Sequence, residues 1–210
     1  MAMKIIDFET IRNLSISPAD CVKWVETALR MKYDSCLPHK ISMTIEPDVF
    51  FNTMPSYLPS CGTFWGLRSF LVFRNVSLHW LVIFCCMMRQ MVIFWSLMDG
   101  SWITAMRTGA VAALSIQYLR TSSAREYAFM GLGNTARATL LCLMAVLEGP
   151  LNIRLLSYKG QELEFTKRFK EYSRLNFSIF ENVEDLITGC RCGCILRNCC
   201  TWSVCIGYMF

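Results

Sequence analysis

After Ser17-Pro18-Ala19-Asp20, Val22, Val25 and Leu29 recur at helical spacing and predict a helix with one buried face up to about Tyr33. Ser17 supplies the cap, Pro18 the first helical position and Asp20 an early acid. The Pro-containing stretch 37–59 reads as short extended pieces joined by turns. From 97 to 189, apolar runs of strand length alternate with helix-like segments. They predict a helix over 103–120, a strand over 126–130, a helix over 135–147, a strand over 152–157, a helix over 161–172, a strand over 176–180 and a helix beginning at 182. That alternation predicts an α/β chain, with a partial Rossmann-like, doubly wound parallel sheet behind an N-terminal α+β domain. The domains are expected at 1–100 and 101–210.

Two stretches break the pattern. Between Val49 and Met98 there is no Asp or Glu, and 61–96 is crowded with Phe, Trp, Met and Cys. Arg74, His79 and Arg89 interrupt it, so no run of roughly 18 apolar residues exists to cross a membrane. A pair of core strands would need turn residues or alternation, and neither is visible. A third reading is a shifted reading frame. Leu71 to Trp80, written as CTC GTT TTC CGG AAC GTG TCC CTG CAC TGG, spells RFPERVPAL from its third base. Cys190 to Leu196, written as TGC AGA TGT GGT TGC ATC CTC, spells ADVVAS one base later, a plausible parallel strand. Segments 61–96 and 190–210 are therefore expected to be frame-shifted, and the chain to be truncated where a fourth strand should stand.

The chain has 210 residues, enough for one domain and part of another. Its net charge is +5, with Lys and Arg scattered, so electrostatics imply no nucleic-acid partner. The start, MAMKIIDFETIRNL, lacks the apolar core of a signal peptide, and the expected location is cytoplasmic with no membrane partner. Of 12 cysteines, several crowd into CRCGC and the following Cys199-Cys200, a spacing that suits neither a disulfide scaffold nor a zinc site. No metal is expected.

The chemistry concentrates in FMGLGNTARATL. Gly131 and Gly133 follow an apolar run, and Ala136 then opens a helix. Gly131 allows a tight turn, Gly133 lets the backbone approach a pyrophosphate, Ala136 keeps helix and strand close, and free N–H groups at the helix start meet negative charge. A dinucleotide is the leading ligand.

Together with TAMRTGAVAA a short way upstream, GLGNTA resembles the ornithine cyclodeaminase and mu-crystallin family, over residues 3–60 and 97–189. The two motifs come in order and at suitable spacing, and FFNTMPSYLP adds to them. The resemblance implies a substrate and dimerisation domain, a Rossmann domain binding NAD or NADP, a small amino-acid substrate and a homodimer whose pairing surface includes the 61–96 segment. It implies hydride transfer at the α carbon, as in cyclodeaminases, alanine dehydrogenases and cyclic imine reductases, or cofactor binding without turnover, as in the crystallins. Arg107 and Thr108 would contact the cofactor, with Arg107 on a phosphate. Gly131, Gly133, Asn134, Thr135 and Ala136 would form the pyrophosphate turn. Lys40 would lie near the substrate carboxylate, and Met54 would line that pocket.

The chain departs from the family's pattern in three places. The resemblance implies a substrate-activating Lys shortly after MPSYLP, yet the region of Leu67 holds none. It implies a catalytic Asp beyond the fourth strand, past Phe210. An acid usually follows the second strand to hold the adenosine ribose, and Ser157-Tyr158-Lys159 stands there instead. Without the first two groups, the chain is expected to be inactive as written.

Overall fold

The computed structural model describes residues 3–46, 49–58, 64–72, 80–88, 93–188, 193–194 and 206–207. Contacts divide the chain into two compact units: residues 1–17 with 24–104, and residues 18–23 with 105–210.

The first unit is built on a six-stranded sheet. β1 (Lys4–Ile6), β2 (Ile41–Glu46), β3 (Val49–Leu58), β4 (Phe64–Val72), β5 (Trp80–Met88) and β6 (Ile93–Asp99) lie in the order β1-β6-β5-β4-β3-β2. β2 to β6 form an antiparallel meander, and β1 adds to β6 in parallel. α1 (Phe8–Asn13) starts at Asp7, whose carboxylate accepts the Thr10 N–H at 2.8 Å. Pro55 is tolerated inside β3 because the β2 ladder ends at the Ile41–Thr53 pair, so no amide at position 55 is owed to that neighbour.

β4, β5 and most of β6 occupy 61–96, a segment in which the sequence shows neither alternation nor turn residues. FWGLRSFLV and WLVIFCCMM carry apolar residues at both parities, which hides the period of two from which a strand is normally read. The segments between these strands, and most of 190–210, lie outside the described residues.

The second unit carries a five-stranded sheet. β7 (Glu126–Phe129), β8 (Leu151–Leu156), β9 (Leu175–Phe180) and β10 (Gly193–Cys194) are mutually parallel in the order β10-β7-β8-β9, and β11 (Ile206–Gly207) closes on β10 antiparallel. The order reverses at β7, the switch point of a doubly wound sheet. A two-residue parallel strand, β10, thus stands at the fourth position, where the chain was expected to stop.

Helix α3 (Ser101–Leu119) precedes β7, α4 (Asn134–Val146) links β7 to β8, α5 (Gln161–Arg168) links β8 to β9, and α6 (Val183–Ile187) follows β9. β8 alternates buried and half-buried positions, with Leu151, Ile153 and Leu155 in the core. Phe165 anchors α5 against Phe129 at 6.2 Å, Phe169 at 5.1 Å and Phe177 at 6.4 Å between ring centroids. α5 stops well short of Tyr172. The Thr166 hydroxyl bonds back to the Glu162 and Leu163 carbonyls, and the Phe169 N–H shifts to the Thr166 carbonyl, tightening the last turn.

The helix predicted after Ser17 is α2 (Pro18–Arg30), but its buried face is short. Cys21 and Val22 are buried, whereas Leu29 is 49% and Tyr33 92% exposed. Tyr33 lies in a separate single turn, Lys32–Asp34. Among the described residues, no helix is long and apolar enough to cross a membrane.

Candidate functional site

In the second unit, the turn between β7 and α4 has the geometry that its glycines suggest. Gly131 sits at φ +94°, a left-handed conformation that a side chain would strain. Gly133 is the N-cap of α4 and has no side chain to satisfy the amides behind it. Its carbonyl accepts the first helical bond, from Arg137 N–H at 3.1 Å. The N–H groups of Asn134, Thr135 and Ala136 therefore begin the helix without a side-chain cap, and no acid stands in the first turn. Free donors, the positive end of α4 and the absence of a competing carboxylate suit an oxyanion of a pyrophosphate.

The supporting contact is tight. A Cβ on Gly109 would come within 2.5 Å of the Ala138 carbonyl carbon and 2.6 Å of the Thr139 nitrogen, so α3 crosses directly on the α4 backbone. Next to Gly109, Thr108 is buried, and its hydroxyl has no hydrogen-bond partner among the described residues. A buried hydroxyl normally has a partner, so Thr108 retains bonding capacity for a ligand. Arg107 is half-buried on the same helix. Arg107, Thr108 and the Gly131–Ala136 turn thus lie on elements of one unit.

The first unit brings together the other predicted residues. Met54 of β3 pairs with Arg68 of β4, and Arg68 with Phe84 of β5, so the three side chains share one face of the sheet. The Arg68 Nη1 lies 3.9 Å from the Met54 sulfur, and its guanidinium sits over the Phe84 ring at 6.0 Å. Burial lowers the Arg68 pKa. Lys40 is exposed and immediately precedes Ile41, whose partner Thr53 adjoins Met54. Met54 and Arg68 thus face each other across β3 and β4, while Lys40 stands just outside the start of β2. Arg68 is not singled out by the sequence, where the resemblance points to a Lys near Leu67. The available signal was a cation one residue further on, inside an acid-free strand.

A cavity of about 290 Å³ opens in the second unit beside the glycine turn. Leu132, Lys159, Gly160, Gln161, Glu164, Phe165 and Arg168 line it. Behind it, Glu162 accepts the Tyr158 N–H at 3.0 Å. That bond, with the Ser157 hydroxyl, holds its carboxyl below the usual range. Burial first, and then the neighbouring Arg168 charge, lower the Arg137 pKa. Neither Arg137 nor Arg168 stands out in the sequence. Arg137 directly follows the fingerprint alanine, and that adjacency was the available clue. No group of His, Cys, Asp or Glu side chains that could hold a metal ion occurs among the described residues.

A family model described as ornithine cyclodeaminase/mu-crystallin matches residues 4–192. No curated protein matches the chain. Among solved structures, the chain is similar to an archaeal alanine dehydrogenase dimer with bound NAD, at 20% identity over 89% of this chain and 58% of that one, with a TM-score of 0.77. It is also similar to a Thermococcus litoralis Δ1-pyrroline-2-carboxylate reductase in complex with NADH and L-proline, at 20% identity over 92% and 61%, with a TM-score of 0.78. A lysine cyclodeaminase that recognises L-lysine, L-ornithine and L-2,4-diaminobutyric acid matches at 16% identity over 95% and 61%, with a TM-score of 0.75. At these identities the likeness shows the fold. The chain spans about three-fifths of the length of each of these structures.

Proposed function

The chain belongs to the ornithine cyclodeaminase/mu-crystallin family, and from that premise we propose that it binds NAD(H) or NADP(H) on the Gly131–Ala136 turn and a small amino or imino acid at Lys40, Met54 and Arg68. The single observation that carries this reading is the uncapped, acid-free start of α4 behind a left-handed Gly131. The backbone amides of Asn134, Thr135 and Ala136 donate to the pyrophosphate, and Arg107 adds a charge-assisted bond to a phosphate. Thr108 offers its buried hydroxyl. The nicotinamide, when bound, supplies the hydride acceptor or donor for chemistry at an α carbon. Lys40 and Arg68 pair with the α-carboxylate, while Met54 forms an apolar wall.

A second reading, binding without turnover, is favoured by Arg68. The resemblance expects a Lys in this region that takes part in activating the substrate. Lysine can lose its proton when buried, whereas a guanidinium stays charged and binds a carboxylate without moving a proton. For the chain as written, this is the reading we adopt. Binding is followed by nicotinamide fluorescence, and turnover by the absorbance of the reduced nicotinamide with ornithine, proline or alanine. Saturable binding with no turnover supports the adopted reading. Substrate-dependent hydride transfer replaces it with an enzyme, and absence of binding overturns both.

A further inference from the structure

We propose that the cavity between the glycine turn and α5 is a 2′-phosphate site, so that this chain selects NADP(H) over NAD(H). The inference rests on the dinucleotide reading above and adds the choice of cofactor to it. A dinucleotide laid across the β7–α4 turn places its adenosine ribose near the end of the next strand, here β8. NAD-selective sites hold the 2′- and 3′-hydroxyls there with an acid at the strand end, whereas a cation in that region accommodates a 2′-phosphate. β8 ends at Leu156 and runs into Ser157, Tyr158 and Lys159, with no acid among them.

The nearest acid on the following turn is already engaged. Glu162 points back to accept the Tyr158 N–H at 3.0 Å, fixing the turn rather than facing a ligand. That turn holds Lys159 at φ +50°, an uncommon conformation for a residue with a side chain, and Gly160 follows at φ +78°. The ammonium of Lys159 lies 5.2 Å from the Tyr158 ring centroid and lines the cavity. Arg168 lines it from the last turn of α5.

Arg137, on the first turn of α4, lies close enough to Arg168 for their like charges to oppose each other. Its Nε is buried with no hydrogen-bond partner among the described residues. An unsatisfied guanidinium N–H beside a second guanidinium is an arrangement that an anion completes. Among the described residues, Glu164 is the one carboxylate lining the cavity, set against Lys159 and Arg168 on the same lining. Its charge disfavours a phosphate, and it is also the group that would favour NAD if the proposal were wrong.

The test is fluorescence titration of the full chain with NADPH and with NADH, in the wild type and in K159Q, R168Q and E164Q. Lys159, Glu164 and Arg168 are exposed, so these changes do not disturb the core. Two charge-assisted bonds to a 2′-phosphate predict NADPH binding about 100-fold tighter than NADH. K159Q and R168Q should each reduce that ratio about tenfold, and E164Q should raise it. Equal affinity, tighter NADH, or a fall in NADH affinity in E164Q would overturn the 2′-phosphate site while leaving the dinucleotide turn standing. If neither nucleotide binds, the dinucleotide reading itself fails, and the proposal fails with it.

Discussion

Gly131 and Gly109 impose their demands through backbone geometry. At φ +94°, Gly131→Ala should cost about 1 kcal/mol of stability from left-handed strain and should abolish or sharply weaken nucleotide binding. Binding at wild-type affinity would remove the turn from the site. At Gly109, a methyl would meet the α4 backbone at 2.5 Å, and backbone cannot give as a side chain can. Urea unfolding of Gly109→Ala should therefore show a loss of about 1–3 kcal/mol. Cys142 is fully buried, and burial, helped by neighbouring Cys21, pushes its thiol from 9.0 up to about 12. The native state thus holds this proton more tightly than the unfolded chain does. That stabilisation is intact below pH 9 and is lost between pH 9 and about 12, at about 1.4 kcal/mol per pH unit. Cys142→Ala should flatten that part of the stability profile, and an alkaline slope equal to that of the wild type would contradict the assignment. At this scale, the glycine turn was legible because glycine and its spacing are written directly in the sequence. Arg68, Arg137 and Arg168 were not, because a lone arginine reads as a solvated residue until pairing across strands or helices gives it neighbours.

α4 carries the phosphate end of the site at its start, and Arg174 fixes its other end. The Arg174 guanidinium donates to the Gly149 carbonyl at 3.1 Å, the Met144 carbonyl at 3.0 Å and the Leu147 carbonyl, satisfying acceptors left open at the helix C-terminus. Arg174→Gln should cost about 1.5–3 kcal/mol and raise amide exchange in the last turn of α4. Unchanged exchange there would show the cap to be dispensable. α3, β7, α4, β8 and β9 were legible to within a residue or two, because the strands are short, largely apolar runs separated by helices with their own start signals. Asn182 is one such signal, accepting the Asp185 N–H at 2.8 Å. α5 was overestimated because Lys167 to Tyr172 continue a helical composition, while the back-bonded Thr166 hydroxyl and the buried Phe169 end the regular helix. β4 to β6 were illegible as strands, since apolar residues at both parities erase the alternation.

The two units hold different parts of the proposed site, one the Met54–Arg68 pair and the other the glycine turn and its neighbouring cavity. The parallel sheet of β7, β8 and β9 is what the alternating sequence pattern predicts, and short β10, which that pattern does not show, supplies the strand on the far side of the switch point. A ligand bound only by the folded chain stabilises it by mass action, about 2.7 kcal/mol at a hundredfold excess over its dissociation constant. Saturating dinucleotide should therefore raise the melting temperature, and the amino acid alone should raise it less. The most direct measurement of the central claim is amide hydrogen exchange across the whole chain, with and without saturating NADPH. The account predicts slowed exchange at 131–140, with a second protected stretch at 157–161. Unchanged exchange at the glycine turn, under conditions where NADPH is shown to be bound, would contradict it.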